Sequence, residues 1–316
     1  MKIVVTWAAW FVGNNLIKKL LDDGHHVTWI DNFTLWKKEF LTPYENNINF
    51  KFIEADLLIK DQITACFAWI DTVFHLAANS DISKGADITN IDLELGTIAT
   101  YNVLESMRLH NVKSIIFASS SAVYGIAKKS PTAEDDGPLL PISLYWASKL
   151  ACEWLVSAFS HNYDIKVWVY RFGNVIGRNS THGAAYDFVT RLKNDSSKLV
   201  VLGDGNQAKP YIYIDDLVSW ILYWWEHSKE DFQYFNLTTS GNSNVKFIVS
   251  SIFKHLWLSD TQIEYTGGKQ WWKWDVPQVQ LDPTKIESLW WKPQYSSDEA
   301  VIQWTKDIVE QIFTDK

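Results

Sequence analysis

Three observations predict an α/β fold, a doubly wound parallel sheet with a smaller C-terminal α/β lobe. Strand and helix patterns alternate through the first half of the chain. The strands are apolar at nearly every residue, as in a sheet covered on both faces. The first strand–turn–helix has the spacing of a phosphate-cradling loop. With 316 residues, 47% of them hydrophobic and 21% charged, the chain can bury a large core.

The elements follow in order. "KIVVT" is a buried strand, and "NLIKKLLDDG" is an amphipathic helix stopped by Gly24, which suits a left-handed cap. "HVTWID" is a second strand, "INFKFIEADL" a third and "DTVFHLAA" a fourth. "LGTIATYNVLESMRLHN" is a long amphipathic helix, and "KSIIFASSS" a fifth strand. "LYWASKLACEWLVSAFSHNY" is a helix, and "IKVWVYRFGNVIG" reads as one continuous sixth strand. Beyond about residue 175 the pattern loosens into mixed helices, short strands and polar loops, with "LGDGNQAKPYIYIDD" the clearest turn and strand. Residues 1–174 and 175–316 are therefore expected as two lobes, with some later segments returning to the first.

Composition removes several classes of function. The net charge is −8 and no basic run stands out, so neither nucleic acid nor an anionic membrane is an expected partner. No apolar run reaches the length of a membrane span, and the N-terminal segment lacks the features of a signal peptide. Cys66 and Cys152 are the two cysteines, far apart and without metal-ligand spacing. They suit a reducing, cytoplasmic setting as inert core residues, and no metal site is expected.

The segment Trp7-Ala8-Ala9-Trp10-Phe11-Val12-Gly13 has G-x-x-G-x-x-G spacing with two glycine positions filled by tryptophan. In such a loop the N–H groups of a helix N-terminus bind a pyrophosphate, and small residues allow close approach. Asp31 ends the second strand with Asn32 beside it, where a carboxylate accepts hydrogen bonds from the adenosine ribose and favours NAD over NADP. Asp56 and Leu57 after the third strand, and Ala77 and Ala78 after the fourth, are placed to line the adenine and the path beyond it.

Tyr145 and Lys149 are four residues apart in a helical segment and share one face. Ser120 ends the fifth strand, at the edge where open α/β sheets place ligands. A Tyr-x-x-x-Lys spacing recurs by chance. Combined with the loop and the strand-end serine, it reads as a proton-transfer set. A lysine ammonium beside the phenol, together with a positive nicotinamide ring, is expected to lower the phenol's pKa toward neutrality. Ser120 would hydrogen-bond the same substrate oxygen.

With these motifs in place, the chain resembles the extended short-chain dehydrogenase/reductases, and among them the NAD-dependent epimerases and dehydratases acting on nucleotide sugars. The resemblance runs through "TWAAWFVG", "FASSSAVYG", "SLYWASKLACE", "YRFGNVIGRNSTHG" and "LGDGNQAKPYIYIDD". It implies a Rossmann domain holding NAD and a lobe holding the substrate. Ser120, Tyr145 and Lys149 match the catalytic set, and Lys149 would also hold the nicotinamide ribose. Ser120, Ser121, Asn174, Lys209 and Tyr211 match positions beside the nucleotide sugar. Related dehydratases carry Asp-Glu just after the catalytic hydroxyl residue, where this chain has Ser121 and Ala122. The resemblance thus implies 4-epimerisation of a UDP-hexose through a 4-keto intermediate. A dehydratase, a 4-keto reductase and a non-catalytic nucleotide sensor are the alternatives. It also implies a homodimer, formed through helices near 92–110 and 145–162.

The tryptophans are abnormal. The chain has 18 Trp and 14 Gly, whereas average usage of about 7% gives roughly 22 glycines in this length. By the same resemblance, Trp7, Trp10, Trp36, Trp69, Trp146, Trp257, Trp271, Trp274 and Trp290 fall where the family commonly has glycine. A UGA codon, readable as either residue, accounts for both facts; aromatic enrichment is the alternative. An indole at position 7 or 10 fills space a pyrophosphate needs, so the chain as written is expected to bind NAD poorly.

Overall fold

The structure is a computed structural model that describes residues 1–7, 11–33, 38–79, 81–82, 84–268, 280–289 and 291–314. Trp10, Trp36, Trp271, Trp274 and Trp290 lie outside the described residues. Two compact units make up the chain, which crosses between them near residues 126, 136, 171, 220 and 235.

The first unit is organised by a seven-stranded sheet. Its strands are β1 (Lys2–Thr6), β2 (His26–Asp31), β3 (Phe50–Glu54), β4 (Thr72–His75), β5 (Ser114–Ser120), β6 (Lys166–Phe172) and a last strand, Phe232–Leu237. Across the sheet the order is Phe232–Leu237, β6, β5, β4, β1, β2, β3. The pairs β3–β2, β2–β1, β1–β4 and β4–β5 are parallel. The order reverses beside β1, the point at which open α/β sheets leave a crevice for a ligand.

Alternation along the strands explains why they read as unbroken apolar runs. Val4, Val73, Ile115 and Phe117 join a core with Val103, Leu104 and Met107 of helix α2 (Ala99–Leu109) and Cys152 and Val156 of helix α3 (Leu144–Tyr163). Their strand neighbours Ile3, Val5, Phe74 and Ile116 are equally buried, because successive strand side chains point to opposite faces. Phe74 packs edge-on to Trp225, and helix α1 (Phe11–Asp22) packs against β1 and β2 through its buried stripe Leu16, Ile17 and Leu20. Helix α1 ends at Gly24, in the left-handed region at φ 80°, as its sequence predicts. Cys152 is buried, but Cys66 is only half-buried, which departs from a fully core role.

The sequence "IKVWVYRFGNVIG" is not one strand. β6 stops at Phe172, and Asn174–Ile176 pairs in parallel with Tyr211–Tyr213 in a separate two-stranded sheet. Gly173 turns the chain between them, its N–H donating to the Leu237 carbonyl at 3.0 Å. The strand Phe232–Leu237, which extends the main sheet, carries no strong alternation and was not read from the sequence. The second unit also holds helices Ala184–Asn194, Val245–Leu256 and Ser297–Thr314, which pack on one another. Buried hydroxyls of Ser251 and Thr305 meet between the latter two at 2.7 Å.

Candidate active site

Helix α3 starts at Ser143, which has an extended backbone (φ −134°, ψ 161°) and whose Oγ accepts the Trp146 N–H at 3.2 Å. This N-cap fixes the register of the first turns, and so the face on which Tyr145 and Lys149 stand. Lys149 is buried, its Nζ donating to the Ala118 carbonyl of β5 at 2.6 Å and lying 5.2 Å from the Phe117 ring centroid. Burial lowers its pKa to about 8, against the opposing pull of Cys152, Glu153 and Asp92.

Ser120 closes β5 in an extended conformation and caps the turn Ser121–Tyr124, its Oγ accepting the Ala122 N–H at 3.2 Å. Gly125 ends that turn at φ 62°, where a Cβ would stand 1.9 Å from the Leu140 carbonyl oxygen. The Ser120 side chain stands beside the Tyr145 phenol, near enough to favour its ionised form. Burial raises the phenol's pKa above its ordinary range, Ser120 opposes this, and Asp92 and Cys152 push the same way as burial. The protein's own groups therefore do not lower the phenol, contrary to the sequence expectation. Removal from water outweighs any gain, and the Lys149 ammonium donates to a backbone carbonyl instead.

Two contacts of Ser148 lock α3 to Asp92 and the segment Leu93–Ile98 that follows it, which is wound as a π-helix and leads into α2. Ser148 Oγ donates to the Asp92 carbonyl at 2.6 Å and lies 3.0 Å from Thr97 Oγ1. Gly96 permits this approach, since a Cβ there would lie 2.1 Å from Ser148 Oγ. Wide turns of this kind are often found at functional sites.

A buried ion pair behind the site was not found from the sequence. Arg171 of β6 donates to both carboxylate oxygens of Glu153 at 3.0 and 2.8 Å, and to the Tyr124 hydroxyl at 2.8 Å. Ser119, next to Ser120, donates to the same carboxylate. The only available signal was position: Glu153 follows Lys149 by one turn on the same face of α3.

On the cofactor side, Asp31, Asn32, Asp56, Leu57, Ala77 and Ala78 line one pocket together with Trp7. Asp31 is buried, and its Oδ1 accepts the Phe33 N–H at 2.9 Å. Asp56 Oδ1 accepts the Leu58 N–H at 2.9 Å. Phe11, Val12 and Gly13 are buried in the first turn of α1. A carboxylate at a strand end beside apolar walls fits the adenosine end of a dinucleotide. Trp7, at the first position of the G-x-x-G-x-x-G spacing, is the lining residue at odds with such a loop, where small residues allow close approach.

In the second unit, Asn174 is paired with Tyr211 in the short parallel sheet, and its Nδ2 donates to the Pro210 carbonyl at 3.2 Å. Lys209 is half-buried two residues before Tyr211. The Tyr211 ring is buried and stacks on Trp304 with centroids 6.2 Å apart. Asn174 and Tyr211 thus pair in one small sheet, whereas Lys209 belongs to a second one, opposite Ser243, and Ser121 stays half-buried beside Ser120.

A family profile described as the NAD dependent epimerase/dehydratase family matches residues 3–237. A protein of Methanocaldococcus jannaschii named putative UDP-glucose 4-epimerase is 30% identical over 96% of this chain and 98% of its own. The crystal structure of UDP-glucose 4-epimerase from Thermotoga maritima with UDP-glucose superposes with a TM-score of 0.87 at 28% identity, covering 99% of this chain and 100% of that one. The Bacillus cereus UDP-glucuronic acid 4-epimerase, in complex with UDP-glucuronic acid and NAD, superposes with a TM-score of 0.87 at 26% identity, covering 99% and 100%.

Proposed function

The chain belongs to the NAD-dependent epimerase/dehydratase family, and we propose that it inverts C4 of a UDP-hexose. Its relatives and structural neighbours are NAD-dependent sugar-nucleotide 4-epimerases. The UDP-hexose, and a route through a 4-keto sugar, are our reading. One observation carries it: Ser120 at the end of β5 stands close enough to the Tyr145 phenol to act on its ionisation, with Lys149 buried one turn along the same helix face and tied to β5 at Ala118.

Bound NAD supplies the hydride acceptor and donor for C4. Asp31 would hold its adenosine ribose, with Asn32, Asp56, Leu57, Ala77 and Ala78 around the base. Tyr145 takes the proton of the C4 hydroxyl and returns it after the keto sugar has turned. Burial makes the phenol a weak acid and its anion a correspondingly strong base, so Tyr145 accepts the C4 proton as the tyrosinate, having first given up its own proton. Ser120 steadies the same oxygen. Lys149, with its pKa near 8, exchanges protons near neutral pH.

Ser121 and Ala122 bring no carboxylate to the sugar, which favours epimerisation over loss of water. The second unit serves as the substrate lobe through Asn174, Lys209 and Tyr211. A homodimer through α2 and α3 would cover Tyr101 and Trp154, both exposed on those helices. A Tyr145→Phe variant tests the assignment against a panel of UDP-sugars. Turnover should fall at least about 100-fold while UDP-sugar binding persists. Undiminished turnover, or a product lacking water, would overturn it.

A further inference from the structure

Three tryptophans hold backbone conformations that, Phe33 apart, the other described residues of this chain give to glycine, Asn or Asp. Trp7, Trp69 and Trp257 lie in the left-handed region at φ 55°, 65° and 56°. A single L-residue there pays a steric cost between Cβ and the backbone, which Gly avoids and Asn or Asp tolerate best.

Trp257 has internal controls. Four helices end in the same way, with the residue after the left-handed cap donating its N–H five residues back. The pairs are His25 to Leu20 at 3.0 Å, Val112 to Met107 at 2.9 Å, Ile165 to Ser160 at 3.3 Å and Leu258 to Phe253 at 3.0 Å. The left-handed residues in these four caps are Gly24, Asn111, Asp164 and Trp257. The first three are the types expected. The fourth is 92% exposed, so its indole gains little packing to offset the strain.

Trp69 sits in a tight turn. Ala68 has φ −63° and ψ 123°, Trp69 follows at φ 65°, and the Ile70 N–H donates to the Phe67 carbonyl at 3.3 Å. These values define a type II turn, whose third position calls for glycine. Trp69 is 84% exposed. Trp7 is the third case: it leaves β1 with its N–H on the Ile30 carbonyl at 2.9 Å and lines the Asp31 pocket.

The backbone also sorts the tryptophans. Of the nine at family glycine positions, four are described: Trp7, Trp69, Trp146 and Trp257. Three of these four have positive φ. Among the other described tryptophans (Trp29, Trp154, Trp168, Trp220, Trp224, Trp225, Trp291 and Trp304) none does. Trp146 lies within α3, so its conformation makes no demand for glycine.

We infer that residues 7, 69 and 257 of the functional protein are glycine, and that the source cell reads their UGA codons as glycine. The wall of the Asp31 pocket at position 7 is then bare backbone, open to a dinucleotide pyrophosphate. The coding DNA and the protein's own peptides test this independently of any activity. UGA at all three codons, with peptide mass mapping of protein from the source cells reading glycine, is the expected result. UGG at any one of them, or tryptophan in the mapped peptides, overturns it. In recombinant protein, Trp69→Gly and Trp257→Gly should each raise Tm by about 2 °C or more. Unchanged or lower Tm in both would count against the inference. Calorimetric titration of NAD should show a gain in affinity of at least about 10-fold for Trp7→Gly, and an equal or weaker affinity would remove the claim for position 7.

Discussion

The Nζ of Lys149 donates a 2.6 Å hydrogen bond to the carbonyl of Ala118, two residues before Ser120. This bond ties the helix that presents the phenol to the strand that presents the hydroxyl, and it does so with an ammonium held out of water. Burial of that ammonium gives the site a dependence on pH.

The folded-state pKa of Lys149 is about 8, below its ordinary 10.5. The unfolded chain therefore binds more protons between these values, and stability from this group rises as pH increases from 8 to 10.5. Below pH 8 the burial penalty is present in full, roughly 3 kcal/mol. Lys149→Met should raise Tm at pH 7 relative to the parent, with the difference shrinking toward pH 10.5. Thermal unfolding of both proteins across that range measures it, and parallel curves would refute the shift.

Glu153 and Arg171 form a buried pair, each side chain only 7% exposed. Removing one partner leaves an uncompensated charge in the core, so Arg171→Met should cost about 3–5 kcal/mol. The double variant Arg171→Met with Glu153→Gln should recover much of that. Chemical denaturation of the parent, both single variants and the double variant closes the cycle. If the pair positions the end of β5 through Ser119, a properly folded double variant should also lose kcat more than it changes KM.

Gly96→Ala places a methyl against Ser148, whose Oγ is held by the Asp92 carbonyl. A cost of about 1–3 kcal/mol is expected. Ser148→Ala in the same chain should relieve part of it, since the nearest atom is then the Ser148 Cβ position at 3.3 Å. Strict additivity of the two changes in denaturant titrations would show that they do not meet.

Trp154 is 67% exposed on α3, and Tyr101 is exposed on α2. If these helices pair two copies of the chain, Trp154→Glu should shift the protein from dimer to monomer in sedimentation equilibrium without loss of secondary structure. A variant that sediments as the parent does would place the dimer contact elsewhere or remove it.

Much of the sheet was legible because its signals are local. The limits of α3, Leu144–Tyr163, coincide with the helix read from sequence, since Ser143 caps one end and Asp164 turns the chain at the other. The end of β2 at Asp31 and the end of β5 at Ser120 were equally visible. The break at Gly173 was not, because "VYRFGNVIG" is apolar on both sides and only pairing with Tyr211–Tyr213 separates them. The Arg171–Glu153 pair was hidden for a similar reason. A charged residue in a sequence reads as exposed until the fold supplies its partner.

By itself, the sequence determined the order of β1 to β5 and of α1, α2 and α3, the shared helix face of Tyr145 and Lys149, and the excess of tryptophan over glycine. Periodicity, capping and composition depend on near neighbours or on nothing but counts. Only the tertiary structure decided that the phenol is pushed up rather than down, and that Trp7, Trp69 and Trp257 hold left-handed backbones. A pKa depends on what surrounds a group and a φ angle on where the chain must go next, and both are set by contacts between segments far apart in the chain.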